Sequence, residues 1–496
     1  MKKRGLLIFL AAVLVAAIWL LGRPLLHLGI VWWRESSQPL PSTAVGTNDA
    51  SRLAPNKPVD VVQIAAEPAA AEQQISELVH KAAKEGLRIS ISGARHAMGG
   101  HTLYPGGITL DMLSFRHISL DEKRRILTVG SGIRWAEVIP FLDQRGLAVG
   151  VMQSNNDFTV GGSLSVNCHG WQHDSPPIAG TVESFRIVTA DGSIKRCSRT
   201  ENQELFSLAL GGYGLFGVIL DADLHVVSNE FYHPESYRVK PANYARVYHE
   251  LNKGRHDIGM AYGRISVAPD SFLKEGVITL LTRQNTDRSV AHTLTNEQPS
   301  PIKRLVFRGC VGSDYGKNLR WTLEKLVGES AGELLSRNQI MNEPSEWYGN
   351  RDIKSTDVLH EYFLPASRLG EFLEKIRPVF LKHRPDLLNI TVRNVDTDTD
   401  TFLRYAREEV FGLVMYFHQG LDATSESAMQ SLTRDLIDTS LACNGTYYLP
   451  YRPHATLTQF QQAYPQARQF FALKKRYDPS GVFENQFYLN YGKPLD

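Results

Sequence analysis

Two periodicities organise the chain. Short runs of alternating or continuous apolar residues at 59–65, 87–92, 108–112, 125–130 and 182–189 predict strands. Between the first two, Ile75, Leu78, Val79, Ala82 and Ala83 recur at helical spacing, which predicts a helix over 71–85 with Gly86 as its stop. A second helix is predicted from Trp135 to a stop at Gly146. A β-α-β opening followed by small mixed elements indicates an α+β fold and not a long doubly wound sheet. Asp191-Gly192 is a turn pair closing the 182–189 strand.

The N-terminus follows a different pattern. Lys2, Lys3 and Arg4 precede an apolar run at 6–21 that carries no charge until Arg23. A secretory signal has the same layout, but its apolar region is shorter and ends at a small-x-small site, which this run lacks. With its flanks the run approaches the ~20 residues that span a bilayer. Residues 1–34 therefore predict an uncleaved single-pass transmembrane anchor, with Trp32 and Trp33 as interface residues. The leading positive charges put the N-terminus in the cytoplasm and the body on the periplasmic, extracytoplasmic side. Residues 35–57, rich in Ser, Pro, Asn and Ala without periodicity, predict a linker.

Composition narrows the classes. The 496 residues exceed one ordinary core and predict two or three domains. The 54 Lys and Arg nearly balance the 52 Asp and Glu and are scattered, so no basic footprint for nucleic acid is present. Four distant cysteines form no CxxC pair, which argues against structural zinc.

Candidate chemistry concentrates in 154–191. Thr159, Gly161, Gly162 and Ser163 place small residues where a backbone can press against a large flat ligand, although a glycine-rich surface loop has the same composition. His169 and His173 are four apart, but Gly170 between them and the lack of a carboxylate at metalloprotease spacing argue against a metal site. Residues 212–217, GYGLFG, match the dinucleotide fingerprint GxGxxG, yet a helical segment precedes them and a strand follows. That order is the inverse of the Rossmann one.

Several motifs then fall in one order: ISGARHAMGGH and GGITLDM, LTVGSGIRWAEV, TVGGSLSVNCHG, VESFRIVTADG, and ENQELFSLALGGYGLFGVI. Together they resemble the FAD-binding domain of the vanillyl-alcohol oxidase / p-cresol methylhydroxylase (PCMH-type) flavoproteins. The resemblance covers 58–229, and YDPSGVFENQFYLNYG resembles the family's closing segment. It implies a two-part FAD-binding domain at 58–229, a substrate (cap) domain at 230–470 with an antiparallel sheet covered by helices, and a segment at 471–496 returning to the FAD domain. The cofactor implied is FAD, cradled by Ser92, Gly93, Ala94, Arg95, His96, Ala97 and Met98 as an anion nest. Thr159, Gly161, Gly162, Ser163 and Val166 would form a second wall, His169 would border the flavin, and Ile219 would meet the adenine.

His96 matches the position where many relatives bond a histidine to the flavin 8α carbon, although Arg95 and Ala97 replace their glycine and serine. Residues 149–155 lack the cysteine of doubly linked relatives. In the substrate half, Arg393 matches the arginine of a Glu-x-Arg strand in alditol and aldonolactone oxidases, with Thr391 in place of glutamate. Tyr451 occupies the position of their lysine. Tyr451 and His454, with Arg393, are the catalytic candidates; Tyr416 and His418 are further side chains able to bind hydroxyls. Glu361, in HEYFLP, resembles a cytokinin dehydrogenase strand.

The expected activity is hydride transfer from a hydroxyl- or amine-bearing carbon of a small polyol, lactone or lipid-linked sugar to flavin N5. Oxygen, a quinone or a protein would then act as electron acceptor. The alternatives are a membrane-anchored flavin reductase of a carbon–carbon double bond and a flavin-binding protein without catalysis.

Overall fold

The computed structural model describes residues 22–36, 41, 44–284, 294, 301–327 and 334–495. Among the described residues, three sheets carry the architecture. The first is parallel, in the order β1 (Asp60–Gln63), β3 (Ile108–Asp111), β2 (Ile89–Ser92). The helix Pro68–Glu85 makes the crossover from β1 to β2. Proline at its first turn, a Glu67 carboxylate accepting from the Ala69 and Ala70 amides, and Gly86 at φ 69° set its ends. Its spacing buries Ala71, Ile75, Val79 and Ala82 against the sheet.

The second sheet is antiparallel, β4 (Ile118–Asp121), β5 (Ile126–Gly130), β9 (Val218–Ser228), β7 (Val182–Val188), β8 (Ile194–Ser198), with β6 (Leu147–Val149) also paired to β9. The third has eight antiparallel strands: β10 (Phe231–Val239), β11 (Ile258–Ile265), β12 (Gly276–Gln284), β13 (Leu335–Ser336), β14 (Ser355–Pro365), β15 (Asp386–Val395), β16 (Val410–Gly420) and β17 (Thr446–Tyr447). Their order is β13-β10-β12-β11-β15-β16-β14-β17. The helices Leu369–His383 and Ala423–Ala442 pack on this sheet. The α+β expectation holds, and β4, β6 and β8 lie outside the runs predicted above; Ile118 and Leu120 of β4 alternate with Ser119 and Asp121 over four residues only, a short signal.

The final segment lies on the parallel sheet. The Ile89 amide donates to the Val482 carbonyl (2.6 Å) and the Glu484 amide to the Ile89 carbonyl (3.2 Å). Asn485 donates to the carbonyls of His101 and Tyr213.

Two N-terminal expectations change. The apolar run 6–21 lies outside the described residues, and no described helix is long and apolar enough to cross a membrane. Residues 23–34, assigned from sequence to the anchor, lie in a helix, Arg23–Ser36, that is docked on the body. Val31 and Glu35 are buried there, His27 Nε2 bonds the Gly309 carbonyl (3.0 Å), and Glu35 pairs with Arg304 (2.7 Å). Pro24 supplies a natural first turn for such a helix.

Nor are residues 44–57 a free linker. The Ala50 amide donates to the Ala97 carbonyl (3.3 Å), and the buried Asp49 carboxylate accepts from the Gly100 amide (2.7 Å) and the Ser51 hydroxyl (2.5 Å). The segment is polar because it braces a loop through hydrogen bonds, not because it is solvated.

Candidate active site

Residues of β2, β9 and the substrate strands β14, β15 and β16 line one cavity of about 190 Å³, part of it open to solvent. Its first wall is the loop leaving β2, Gly93 to Ala97, which reverses at Arg95 in the left-handed region (φ 63°). Its second is the short helix Val160–Ser165, capped by the Thr159 hydroxyl accepting from the Gly162 amide. Gly161 has a packing reason for being glycine. A Cβ there would lie 2.6 Å from Ser131 Cβ and 2.9 Å from its carbonyl, so the helix could not seat against the end of β5.

Thr159, Gly161, Gly162, Val166, His169 and Ile219 all line the cavity. Three expected wall residues stand behind it instead. Ser92 closes β2 and accepts from the Met112 amide, and the Met98 amide donates to the Pro450 carbonyl. Ser163 accepts from the Trp135 indole (2.9 Å) and donates to Gln153 (2.8 Å). The GYGLFG stretch has the inverted order expected, lying between the helix Gln203–Ala209 and β9. It nevertheless lines the cavity through Tyr213, Gly214 and Gly217, so an unrelated glycine requirement produced the fingerprint. Gly217 sits at φ 142° with the Val188 carbonyl 2.3 Å from where a Cβ would be.

The wall fits FAD. The Thr102 and Ser131 hydroxyls line the cavity, buried and without a hydrogen-bond partner, as polar groups awaiting a polar ligand are. His96 also lines it, stacked on Phe158 (3.9 Å between centroids, 17°), with Nε2 3.3 Å from the Asp157 carbonyl. Burial lowers the His96 pKa, outweighing the raising influence of Asp157, so the ring holds its neutral form near pH 7.

The substrate sheet closes the far side. Along β14 the two-residue alternation sends Leu359 and Glu361 into the cavity, while His360 turns to the helix Ala423–Ala442, where it meets Thr433. Glu361 is 2 % exposed, with its Oε1 2.8 Å from His169 Nε2 and its Oε2 accepting from the Tyr451 hydroxyl (3.4 Å). Burial first, and then the Glu361 charge, push the Tyr451 phenol well above its ordinary value. Tyr451 is thus a donor and not a proton acceptor at neutral pH. Arg393, on β15, donates to the His169 carbonyl (3.3 Å) and the Ser154 hydroxyl (2.5 Å), which fixes the loop carrying the histidine.

His454 is a correction. It does not line the cavity, and its Nε2 bonds Glu426 (2.8 Å) while its Nδ1 meets Thr433 (3.0 Å). Burial alone would raise the Glu426 carboxyl, but the His454 bond and the Arg452 charge hold it down at about 2. Tyr416 and His418 lie along the sheet with Asp357, at 3.2 and 2.7 Å, outside the cavity lining. Sequence reasoning left Glu361 out of the candidate site; its signal was an acid inside an otherwise apolar strand pattern. Among the described residues no group of three or more His, Cys, Asp or Glu is placed to hold a metal ion.

Comparison with known proteins is consistent with this geometry. An FAD binding domain matches residues 64–198. The chain is similar to mouse L-gulonolactone oxidase, 21% identical with 84% of this chain and 92% of that protein covered. It is similar to decaprenylphosphoryl-beta-D-ribose oxidase of Mycolicibacterium smegmatis at 31% identity, covering 32% of this chain and 35% of that protein. Cytokinin dehydrogenase 2 of Arabidopsis thaliana is 29% identical over 30% of each chain. The chain thus spans about a third of the length of two of these relatives and nine tenths of the first.

Proposed function

We propose, from the premise that the chain belongs to the PCMH-type FAD-binding oxidoreductases, that it oxidises a hydroxyl- or amine-bearing carbon of a small polyol, lactone or lipid-linked sugar. The enzyme is FAD-dependent, and the lactone and lipid-linked sugar follow the names of two relatives, L-gulonolactone oxidase and decaprenylphosphoryl-beta-D-ribose oxidase. The observation carrying the reading is Glu361, buried at the cavity end between His169 and Tyr451. A carboxylate held there can take the proton of a substrate hydroxyl as its carbon loses hydride.

Bound FAD would supply the two-electron acceptor. The chain supplies the rest. Tyr451 donates a hydrogen bond that keeps the Glu361 carboxylate oriented, and Arg393 positions the His169 loop. Glu361 and His169 are themselves buried. Electrons would leave to oxygen, a quinone or a protein acceptor. Anaerobic titration of the holoprotein with polyols, aldonolactones and a polyprenyl-phosphate sugar tests the reading. One class should bleach the flavin absorbance without added pyridine nucleotide. Bleaching only by a pyridine nucleotide, followed by reoxidation by an alkene, would overturn it in favour of a reductase.

His96 is proposed as the covalent flavin attachment, because a neutral imidazole lines the cavity beside Phe158. Acid precipitation should leave yellow colour on the wild-type pellet and release it from His96→Ala. Colour in the wild-type supernatant would dispose of the bond.

The chain is further proposed to remain membrane-attached through the apolar run 6–21, with the body extracytoplasmic. Alkaline carbonate washing should leave the full chain in the membrane pellet. A soluble mature form beginning near residue 35 is the contrary result.

A further inference from the structure

The helix Arg23–Ser36 is built with its polarity inverted. Pro24, Leu28, Val31 and Glu35 fall on the side facing the body. On the opposite side stand Leu25 (70 % exposed), Leu26 (68 %), Ile30 (57 %), Trp32 (59 %) and Trp33 (75 %). At 3.6 residues per turn these outward residues, with Gly29, form one contiguous stripe. Arg23 and Arg34 lie together along one border of it, about 60–80° round from Leu26 by the same periodicity. Scattered exposed apolar residues are ordinary on a protein surface, but an unbroken stripe containing two tryptophans is not.

The helix is also held rigidly. Besides the His27–Gly309 bond, Glu35 reaches Arg304 (2.7 Å) and Arg308 (3.6 Å), and buried Arg308 pairs with Asp357 (2.6 Å) on β14, the strand that carries Glu361. The outward stripe therefore has a fixed orientation relative to the candidate active site.

We propose that this helix lies in the interfacial layer of a lipid bilayer, apolar stripe inward, and sets the orientation of the body against the membrane. Three features select lipid over another protein surface. Tryptophans are side chains of the headgroup level, with a polar N–H and a broad apolar ring. Arg23, stacked over Tyr315, and Arg34, which donates to the Arg308 carbonyl (3.1 Å), keep positive charge at the border, where it complements anionic headgroups. And the helix begins immediately after the apolar run 6–21, so the chain delivers it to wherever that run resides. A surface-lying helix of this kind buries its apolar face ~5–10 Å into the headgroup and acyl boundary. This assignment rests in part on the membrane attachment proposed for 6–21 and is separate from the oxidoreductase reading.

The test uses the full flavin-loaded chain in vesicles of phosphatidylcholine with a minority of phosphatidylglycerol. The four native cysteines are buried, so single cysteines at Leu26, Ile30 or Trp33 accept a nitroxide label selectively. Collision of the label with oxygen should exceed collision with a water-soluble nickel chelate at all three positions. A label at exposed Lys123 should show the inverse ratio. Nickel-accessible labels at 26, 30 and 33 in protein that still pellets with the vesicles would overturn the inference and leave the 6–21 anchor standing. Labels shielded from both reagents, or broadened by a label on a second copy, would overturn it by showing a protein cover. Retained flavin colour in each labelled variant establishes that the body is folded.

Discussion

Glu361→Gln is expected to slow substrate reduction of the flavin by about 10²–10⁴-fold, the range of a positioned general base, while the FAD stays bound. The substitution preserves volume and keeps an oxygen for the Tyr451 hydroxyl, but the amide has no useful basicity. It also places an NH₂ where Oε1 now stands 2.8 Å from His169 Nε2. Binding and chemistry should separate in the kinetics: kcat falls, and the flavin absorbance and its retention on a desalting column do not change. Tyr451→Phe serves as the comparison. It removes one hydrogen bond to Glu361 and no base, so its effect should be much the smaller. Flavin reduction in Glu361→Gln at the wild-type rate would remove Glu361 from the chemistry. The oxidation of a hydroxyl carbon would then need another proton acceptor on this cavity wall.

The flavin half of this arrangement was readable in the residues because it is local. The helix over 71–85 with its glycine stop, the TVGG turn and the reversed GxGxxG each sit within a few residues of the neighbours that define them. The catalytic corner is not local. Glu361 acquires its meaning from His169, on a loop of the other half, and from Tyr451 on the chain's return. HEYFLP shows an acid inside an apolar strand pattern but not which groups that acid faces. His454 failed for the converse reason. A histidine near a matched motif was expected in the cavity, but the adjacent helix offered Glu426 and Thr433, and the ring turned to them. The polar stretch before Val59 misled similarly, since low hydrophobicity describes a solvated linker and a hydrogen-bonded brace equally well. Asp49 and its Gly100 bond place the segment in the second class.

Asp478→Ala should destabilise the protein by about 3–5 kcal/mol, the cost of removing one member of a buried ion pair. Lys474 and Asp478 are 2 % and 1 % exposed at their side chains, and Lys474 Nζ lies 2.5 Å from Asp478 Oδ2. The same carboxylate accepts from the Val482 and Phe483 amides, both at 2.8 Å. Alanine would therefore take a carboxylate away from the Lys474 ammonium and from two backbone amides. Glu484, which also feels the Lys474 charge, is engaged by Arg88 at 3.3 Å. The damage has a functional direction. Val482 and Glu484 bond the backbone of Ile89 on β2, and β2 runs directly into the Gly93–Ala97 wall of the cavity. Loosening the turn at Asp478 should release that wall before the substrate sheet yields, so any FAD held without a covalent bond should leave early in a thermal ramp. Asp478→Asn keeps an oxygen for one of the two amides and loses the charge and the second acceptor, so it should fall between wild type and alanine. Denaturant unfolding followed by tryptophan and flavin fluorescence together measures both effects. An alanine variant within 1 kcal/mol of wild type, or one whose two signals change together, would mean that the closing segment rests on its packing against the parallel sheet and not on this ion pair.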